Sequence, residues 1–522
     1  MARRAVPISL STGAGGAVAA LVLAVIALPL GAVLLRADAS SGLGPADWAA
    51  VRFTIWQALL SAALSVGLAI PVARALARRD FPGRRALIAL MGAPFILPVI
   101  VAVLGLLAVF GRQGGISAAL RLFGLPELEI YGWQGVVLAH VFFNLPLAVR
   151  LILQGWLAIP AERFRLAATL GFSARDIARH IERPMLRNVA PGAFLVIFLI
   201  STTSFAVALT LGGGPRATTV ELAIYQAFLF EFDLGRAALL GLVQVGICVV
   251  AGALVIGVAR PNLAAGTGLD QPVRRWDAQT SGARVFDGVM VAAAAAFLLL
   301  PLLAVVLRGA GAIPGLPPGV WMAALRSVLL SLATAVLAVG LALPMAILIA
   351  RGRARGLLEV IGALSIAVSP LVIGTGLFLI LRPVISPTAA ALPITGLVNA
   401  LAALPFVLRA LVPGIEQAEA GYGRLALSLG LSGRQYLRHV LLPRLRRPLG
   451  LGAGLAAALA MGDLGVITLF AAPQQGTLPL EMYRLMGAYR TDDAAGAALL
   501  LLLLSLGVFW VFDRGGRLNA AT

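Results

Sequence analysis

The sequence predicts an all-α, polytopic membrane protein of about twelve transmembrane helices in two pseudo-symmetric six-helix halves. Three observations carry that prediction. The chain is 60% hydrophobic, with a mean hydropathy of +0.97 and only 12% charged residues. Apolar runs of about 20 residues recur along its whole length, enough to cross a hydrocarbon core of about 30 Å. Finally, the block "RLAATLGFSARDIARHIERPMLR", beginning at Arg165, is nearly copied by "RLALSLGLSGRQYLRHVLLPRLR", beginning at Arg424.

The first apolar run follows "MARR" and precedes "ADAS", in which Ala37-Asp38-Ala39 mimics a leader-peptide cleavage site. Its length suits a retained spanning helix better than a removable leader. The spans expected in the first half are 17–35, 53–75, 86–110, 133–157, 193–211 and 237–259. Those of the second are 285–307, 324–350, 358–381, 393–413, 450–471 and 494–512. The expected organisation is a first helix and loop (1–50), a first half (51–259, with a charged loop at about 160–190) and a linker (260–284). A seventh helix and loop (285–320), a second half (321–512, with a charged loop at about 416–449) and a tail (513–522) follow.

A single shift of 259 residues places Gly171 on Gly430, Leu145-Pro146 on Leu404-Pro405, Ser173 on Ser432, His180 on His439 and Pro184 on Pro443. Charged residues and prolines in register point to a duplication. Six helices being an even number, both copies enter the membrane in the same sense.

All 41 basic residues are arginine, and the net charge is +19. Most of them fall on loops of one side, as the positive-inside rule expects of a cytoplasmic face, and both termini lie on that side. No basic run interleaves with aromatics, so the charge orients the chain and does not mark a nucleic-acid site. Without lysine there is no P-loop and no Schiff-base chemistry. One cysteine, Cys248, and three histidines give no thiolate cage and no His-rich metal centre. No catalytic residue is expected.

Within each repeated block, helix-forming residues lead to Gly171 or Gly430, which suits a left-handed helix stop. Ser173 with Asp176, and Ser432 with Gln435, have capping-box spacing. A second helix carrying Arg175 or Arg434 then runs to Pro184 or Pro443, which is expected to close it. An ordinary loop needs no such matched punctuation. Two hinged elements on one face of a chain with no nucleotide site suit a two-fold ATPase partner.

At these residues the chain resembles the membrane subunits of binding-protein-dependent ABC importers. In that signature a glycine is followed at fixed spacing by apolar residues and a proline. Here Gly171 leads to Ile181 and Pro184, and Gly430 leads to Val440, Leu442 and Pro443, while "RLA" replaces the family's initial "EAA" in both copies. "GGGPRATTVELAIYQAF" and "GDLGV" narrow the likeness to fused two-half thiamine permeases, whose architecture ferric-iron permeases share. The resemblance implies a type I importer fold in a bacterial inner membrane. It places Arg165, Ala167, Gly171, Ser173, Arg175 and Pro184, with Arg424, Ala426, Gly430, Ser432, Arg434 and Pro443, in the coupling loops that seat on an ATPase homodimer. ATP and magnesium would be bound by that partner, and this chain would bind no cofactor.

On the opposite side, Gly213, Glu221 and Tyr225, with Glu481 and Tyr483, are expected either in plain helix–turn connections or in a contact for a periplasmic substrate-binding protein. Asp463 is an acid within a span and Ser204 is its counterpart under the same shift. With Asn144, they are candidates for the translocation path of a small-molecule substrate. A proton-coupled secondary transporter is the rival from another class. It requires intramembrane titratable groups, for which Asp463 is the main candidate.

Overall fold

The computed structural model describes residues 12–37, 42–92, 96–212, 214–258, 275, 277, 279–352, 354–472 and 475–517. Gly213 and most of the expected linker lie outside them. The first half comprises α1 (Thr12–Arg36), α2 (Pro45–Arg78), α3 (Arg84–Leu90), α4 (Val99–Phe110), α5 (Gly115–Leu122) and α6 (Trp133–Leu157). It continues with α7 (Ala161–Thr169), α8 (Ala174–Ile177), α9 (Arg183–Thr202), α10 (Phe205–Leu211), α11 (Val220–Leu229) and α12 (Leu234–Val258). The second half comprises α13 (Ser281–Ala310), α14 (Pro318–Ala350), α15 (Arg355–Ala367), α16 (Pro370–Leu381) and α17 (Pro387–Ser428). It ends with α18 (Gly433–Tyr436), α19 (Leu442–Met461), α20 (Gly465–Phe470), α21 (Leu478–Gly487) and α22 (Thr491–Arg517).

The protein is an all-α, multi-pass membrane protein. Among the described residues, 11 helical segments are long and apolar enough to cross a bilayer. The expected span 358–381 is not one of them, because it divides into α15 and α16 at Val368–Ser369. Pro370 opens α16, and the Ser369 hydroxyl accepts from the Leu371 amide at 3.1 Å. The expected span 86–110 divides in the same way into α3 and α4, with Pro98 at the cap of α4. A residue before proline is driven out of helical geometry, which fixes both breaks.

Two other expected spans are also interrupted. The chain turns at Thr203–Ser204 between α9 and α10, and at Gly462–Leu464 between α19 and α20. In contrast, α17 runs for 42 residues through Pro393, Pro405 and Pro413, well beyond the expected 393–413. Interior prolines persist in membrane helices whose neighbours re-satisfy the freed backbone. The last helix, α22, continues to Arg517, past the expected end at 512, with Asp513 and Arg517 paired at 2.7 Å.

Each half lends its first helix to the other. α1 packs on α16 and α14 of the second half, while α13 packs on α4 and α2 of the first. Matched glycines allow the close approach. Gly105 of α4 lies against the Pro301 carbonyl of α13, and Gly376 of α16 lies against the Pro29 carbonyl of α1. Small residues at such crossings let backbones meet where lipid provides no hydrophobic drive.

A methyl group at either glycine would meet that carbonyl at under 3.0 Å. Gly105→Val and Gly376→Val are therefore each expected to cost about 1–3 kcal/mol or more. Thermal unfolding in detergent should show lowered midpoints for both. Gly340→Ala, on α14 with nothing within 4 Å of the added carbon, should leave the midpoint unchanged.

Candidate functional site

The repeated block is built as its sequence suggests up to Pro184. α7 ends at Gly171, whose φ of +69° turns the chain, and Gly430 turns it at +63°. The capping boxes are formed. The Ser173 amide donates to Asp176 Oδ2 at 2.9 Å, and the Asp176 amide returns to Ser173 Oγ at 3.3 Å. The Ser432 amide donates to Gln435 Oε1 at 2.9 Å, and the Gln435 amide returns to Ser432 Oγ at 3.4 Å.

The expectation that Pro184 and Pro443 close a separate helix is corrected. α8 and α18 pass through single π-turns, Ala178–Glu182 and Leu437–Leu441, into the spans α9 and α19. Each proline lies in the first turn of the following α-helix, directly after the π-turn. The capped element and the span are thus one rod.

Ala167 and Ala426 are buried at 2% exposure beneath each block, while Arg165, Arg175, Arg424 and Arg434 are exposed. The outer face also presents apolar residues. Leu166 and Leu170 are 61% and 62% exposed, and their counterparts Leu425 and Leu429 are 55% and 66% exposed. Two leucines one helical turn apart, beside the hinge in both halves, form twin apolar patches ringed by arginine.

At the first helix break, side-chain amides satisfy the carbonyls that the turn releases. Gln57 Nε2 donates to the Ser201 carbonyl at 2.9 Å, and Gln244 Nε2 to the Thr202 carbonyl at 3.0 Å. With its amide committed there, Gln57 turns Oε1 to His140 Nδ1 at 2.7 Å, so Nδ1 carries the proton. Asn144 is 3% exposed and donates to Ser201 Oγ at 3.2 Å. It braces the break and does not line an open path.

At the second break, Asp463 supplies the acceptor, taking the Gly465 amide on Oδ1 at 3.1 Å. Its Oδ2 has no partner, and the Asn399 amide lies alongside without closing a hydrogen bond. Ser204 and Asp463 are both half-buried.

On the opposite side of the bundle, Thr219 caps α11 through the Leu222 amide, and the Thr54 hydroxyl of α2 accepts from the Val220 amide at 2.9 Å. Ser327 of α14 accepts from the Leu478 amide at 2.8 Å in the same way. These bonds seat α11 and α21 against the bundle. On α11, Glu221 and Tyr225 face inward, at 1% and 7% exposure, so neither side chain belongs to an exterior contact. Glu481, paired with Arg484 at 3.6 Å, and Tyr483 are half-buried.

No family model matches the chain. Individual relatives do, over most of its length. The thiamine transport system permease protein ThiP of Escherichia coli is 42% identical over 485 residues, covering 91% of this chain and 90% of the relative. The ThiP protein of Brucella abortus is 39% identical over 515 residues, covering 97% and 93%. That of Haemophilus influenzae is 34% identical over 473 residues, covering 88% and 87%. The chain belongs to the thiamine transport system permease family. Its relatives are named as transport permeases rather than as enzymes.

Sequence reasoning missed one feature of this permease, an ion cluster that ties the first repeated block to its surroundings. Glu182 pairs in charge with Arg74 of α2, 2.9 Å away, and accepts a hydrogen bond from Arg275 at 2.6 Å. Arg275 also holds Asp277 at 2.6 Å and stacks over the Phe164 ring of α7 at 4.8 Å. Farther along α2, Arg78 and Arg79 reach Asp287 of α13 at 2.8 Å and 2.7 Å. The signal was hidden because Glu182 and Arg275 are 93 residues apart. The second half has Leu441 where the first has Glu182, and secures its block through Arg351 and Glu419 at 2.7 Å.

Burial disfavours the charged form of Asp277, but the hydrogen bonds from Arg275 outweigh it and hold the carboxyl below its ordinary value. A lowered folded-state pKa contributes stability that is complete above the unfolded value, about 3.9, and is lost as pH falls through the folded one. Asp277 therefore stays charged at neutral pH. Glu182→Gln would leave the buried Arg275 with Asp277 alone and the half-buried Arg74 facing a neutral amide, at an expected cost of about 1–3 kcal/mol. A lower thermal midpoint in detergent checks this, and an unchanged midpoint would mean that the cluster adds no stability.

Proposed function

We propose that this chain is the translocating subunit of a binding-protein-dependent ABC importer for thiamine and its phosphates. It would lie in a bacterial inner membrane with both termini in the cytoplasm. A separate ATPase dimer would bind the two coupling loops and supply ATP hydrolysis, while a periplasmic binding protein delivers substrate to the other face. The substrate class is drawn from the printed names of the relatives, which cover nearly the whole chain.

The observation that carries the reading is the pair of matched leucine patches beside the positive-φ glycines. Burying an exposed leucine stabilises by about 1.5–3 kcal/mol, so each patch favours a protein surface over water. Their recurrence at corresponding positions suits two grooves related by a two-fold axis. Because each capped element continues into a span, a push on it is carried directly to α9 or α19. The helix breaks at Thr203–Ser204 and Gly462–Leu464 then lie along the same two rods.

The test places a charge on both patches. Leu170→Glu with Leu429→Glu is expected to leave membrane insertion and thermal stability unchanged, since both side chains already face water. Co-purification of the ATPase should fall at least tenfold, and ATP-dependent thiamine uptake should fall with it. Retention of the ATPase at the level of the unaltered protein would remove the docking role assigned to the patches.

A further inference from the structure

The buried face of α11 carries an acid that the coupling reading does not use. Glu221 is 1% exposed and neither carboxylate oxygen has a hydrogen-bond partner. The Ser369 hydroxyl, at the start of α16 in the other half, lies near enough to interact with it. A carboxylate removed from water without a partner is costly, and within a membrane bundle such groups usually serve an ion or substrate path.

The surroundings of Glu221 have a definite chemistry. One helical turn along α11, the Tyr225 ring packs edge-on against Phe205 with centroids 5.2 Å apart. Phe205 is the first residue of α10, directly after the break at Ser204. Across the boundary between the halves, Phe205 faces Gly465, with 3.9 Å between its ring and a carbon placed on that glycine. The Gly465 amide is the group held by Asp463, whose other oxygen is unpartnered. Acid, two aromatic rings and acid therefore follow one another from Glu221 through Tyr225 and Phe205 to Asp463. One acid comes from each half, and the break of each half lies beside the line.

From this arrangement we propose that Glu221, Tyr225, Phe205 and Asp463 form the recognition site for an organic cation bearing a flat aromatic ring. The rings present π-faces to a cation and a stacking surface to a heterocycle, and the two carboxylates supply the opposite charge. Glu221, Phe205 and Tyr225 are packed together in this conformation, so the ligand reaches them when the halves part. The proposal rests on the thiamine reading, since thiamine joins a cationic thiazolium to an aromatic pyrimidine. It assigns the charge recognition to residues that lie 242 positions apart in the chain.

The experiment uses the complete complex in proteoliposomes, with binding protein in excess. Uptake of labelled thiamine is compared with uptake of an analogue whose thiazolium is replaced by an uncharged thiophene. Glu221→Gln and Asp463→Asn keep the side-chain volumes, so thermal midpoints should be equal to or above that of the parent. Each variant is expected to raise the half-saturating thiamine concentration at least tenfold, and the double variant should lose the preference for the charged ligand. Because the binding protein is a separate chain, its own affinity is untouched and can be measured alone.

Wild-type affinity and preference in Glu221→Gln and in the double variant would overturn the site. A loss of uptake accompanied by a lowered midpoint would also overturn it, since that result assigns Glu221 to folding. Failure of the unaltered complex to import thiamine at all would instead remove the thiamine reading, and with it the ligand named here.

Discussion

Inside a bilayer every backbone N–H and C=O must find a partner within the protein, and the structure is organised around that requirement. Unbroken helices meet it by themselves. Where α9 and α19 are interrupted, the released groups must be satisfied by side chains, and the two halves do so differently. The first uses Gln57 and Gln244 on the carbonyls of Ser201 and Thr202. The second uses Asp463 on the amide of Gly465. A duplicated scaffold thus keeps its breaks at matching places while the groups that fill them diverge. That divergence puts a carboxylate at one break and none at the other, giving the bundle a polarity that its backbone symmetry lacks.

The same requirement explains what could be read from the sequence. Length and periodicity of apolar runs reveal spans because helix hydrogen bonding is local. The Gly171 and Gly430 turns and the Ser173 and Ser432 caps were also legible, since each depends on residues within a few positions. The first break was not, because the group that stabilises it is remote: Gln57 and Ser201 are 144 residues apart. The continuity of α17 through three prolines was hidden for the opposite reason, as proline is a local stop signal that tertiary packing here overrides. The inward turn of Glu221 and Tyr225 goes with the Thr54 hydroxyl of α2, which accepts from the Val220 amide 166 residues away. A loop-like stretch of sequence gave no sign of it.

The exchange of α1 and α13 makes the halves mechanically dependent. Neither half can open without moving a helix that packs on the other, and the Gly105 and Gly376 contacts leave little slack at the crossings. The ion cluster around Glu182 adds a second connection, on the first half alone, joining its coupling loop to α2, while Arg78 and Arg79 join α2 to α13. Force entering at the first loop is therefore passed to both halves. The second loop continues into α19 and is tied to its surroundings by the Arg351–Glu419 and Arg355–Glu416 pairs. The two loops share a shape but are anchored unequally.

The central claim is that twin hinged loops pass work from an external ATPase to a path between the halves. The deciding measurement is uptake of labelled thiamine into proteoliposomes holding the permease and its ATPase, with binding protein supplied, ATP present in one arm and only an imposed proton gradient in the other. The account predicts uptake that requires ATP and is indifferent to the gradient. Sustained uptake driven by the gradient with ATP absent would contradict it.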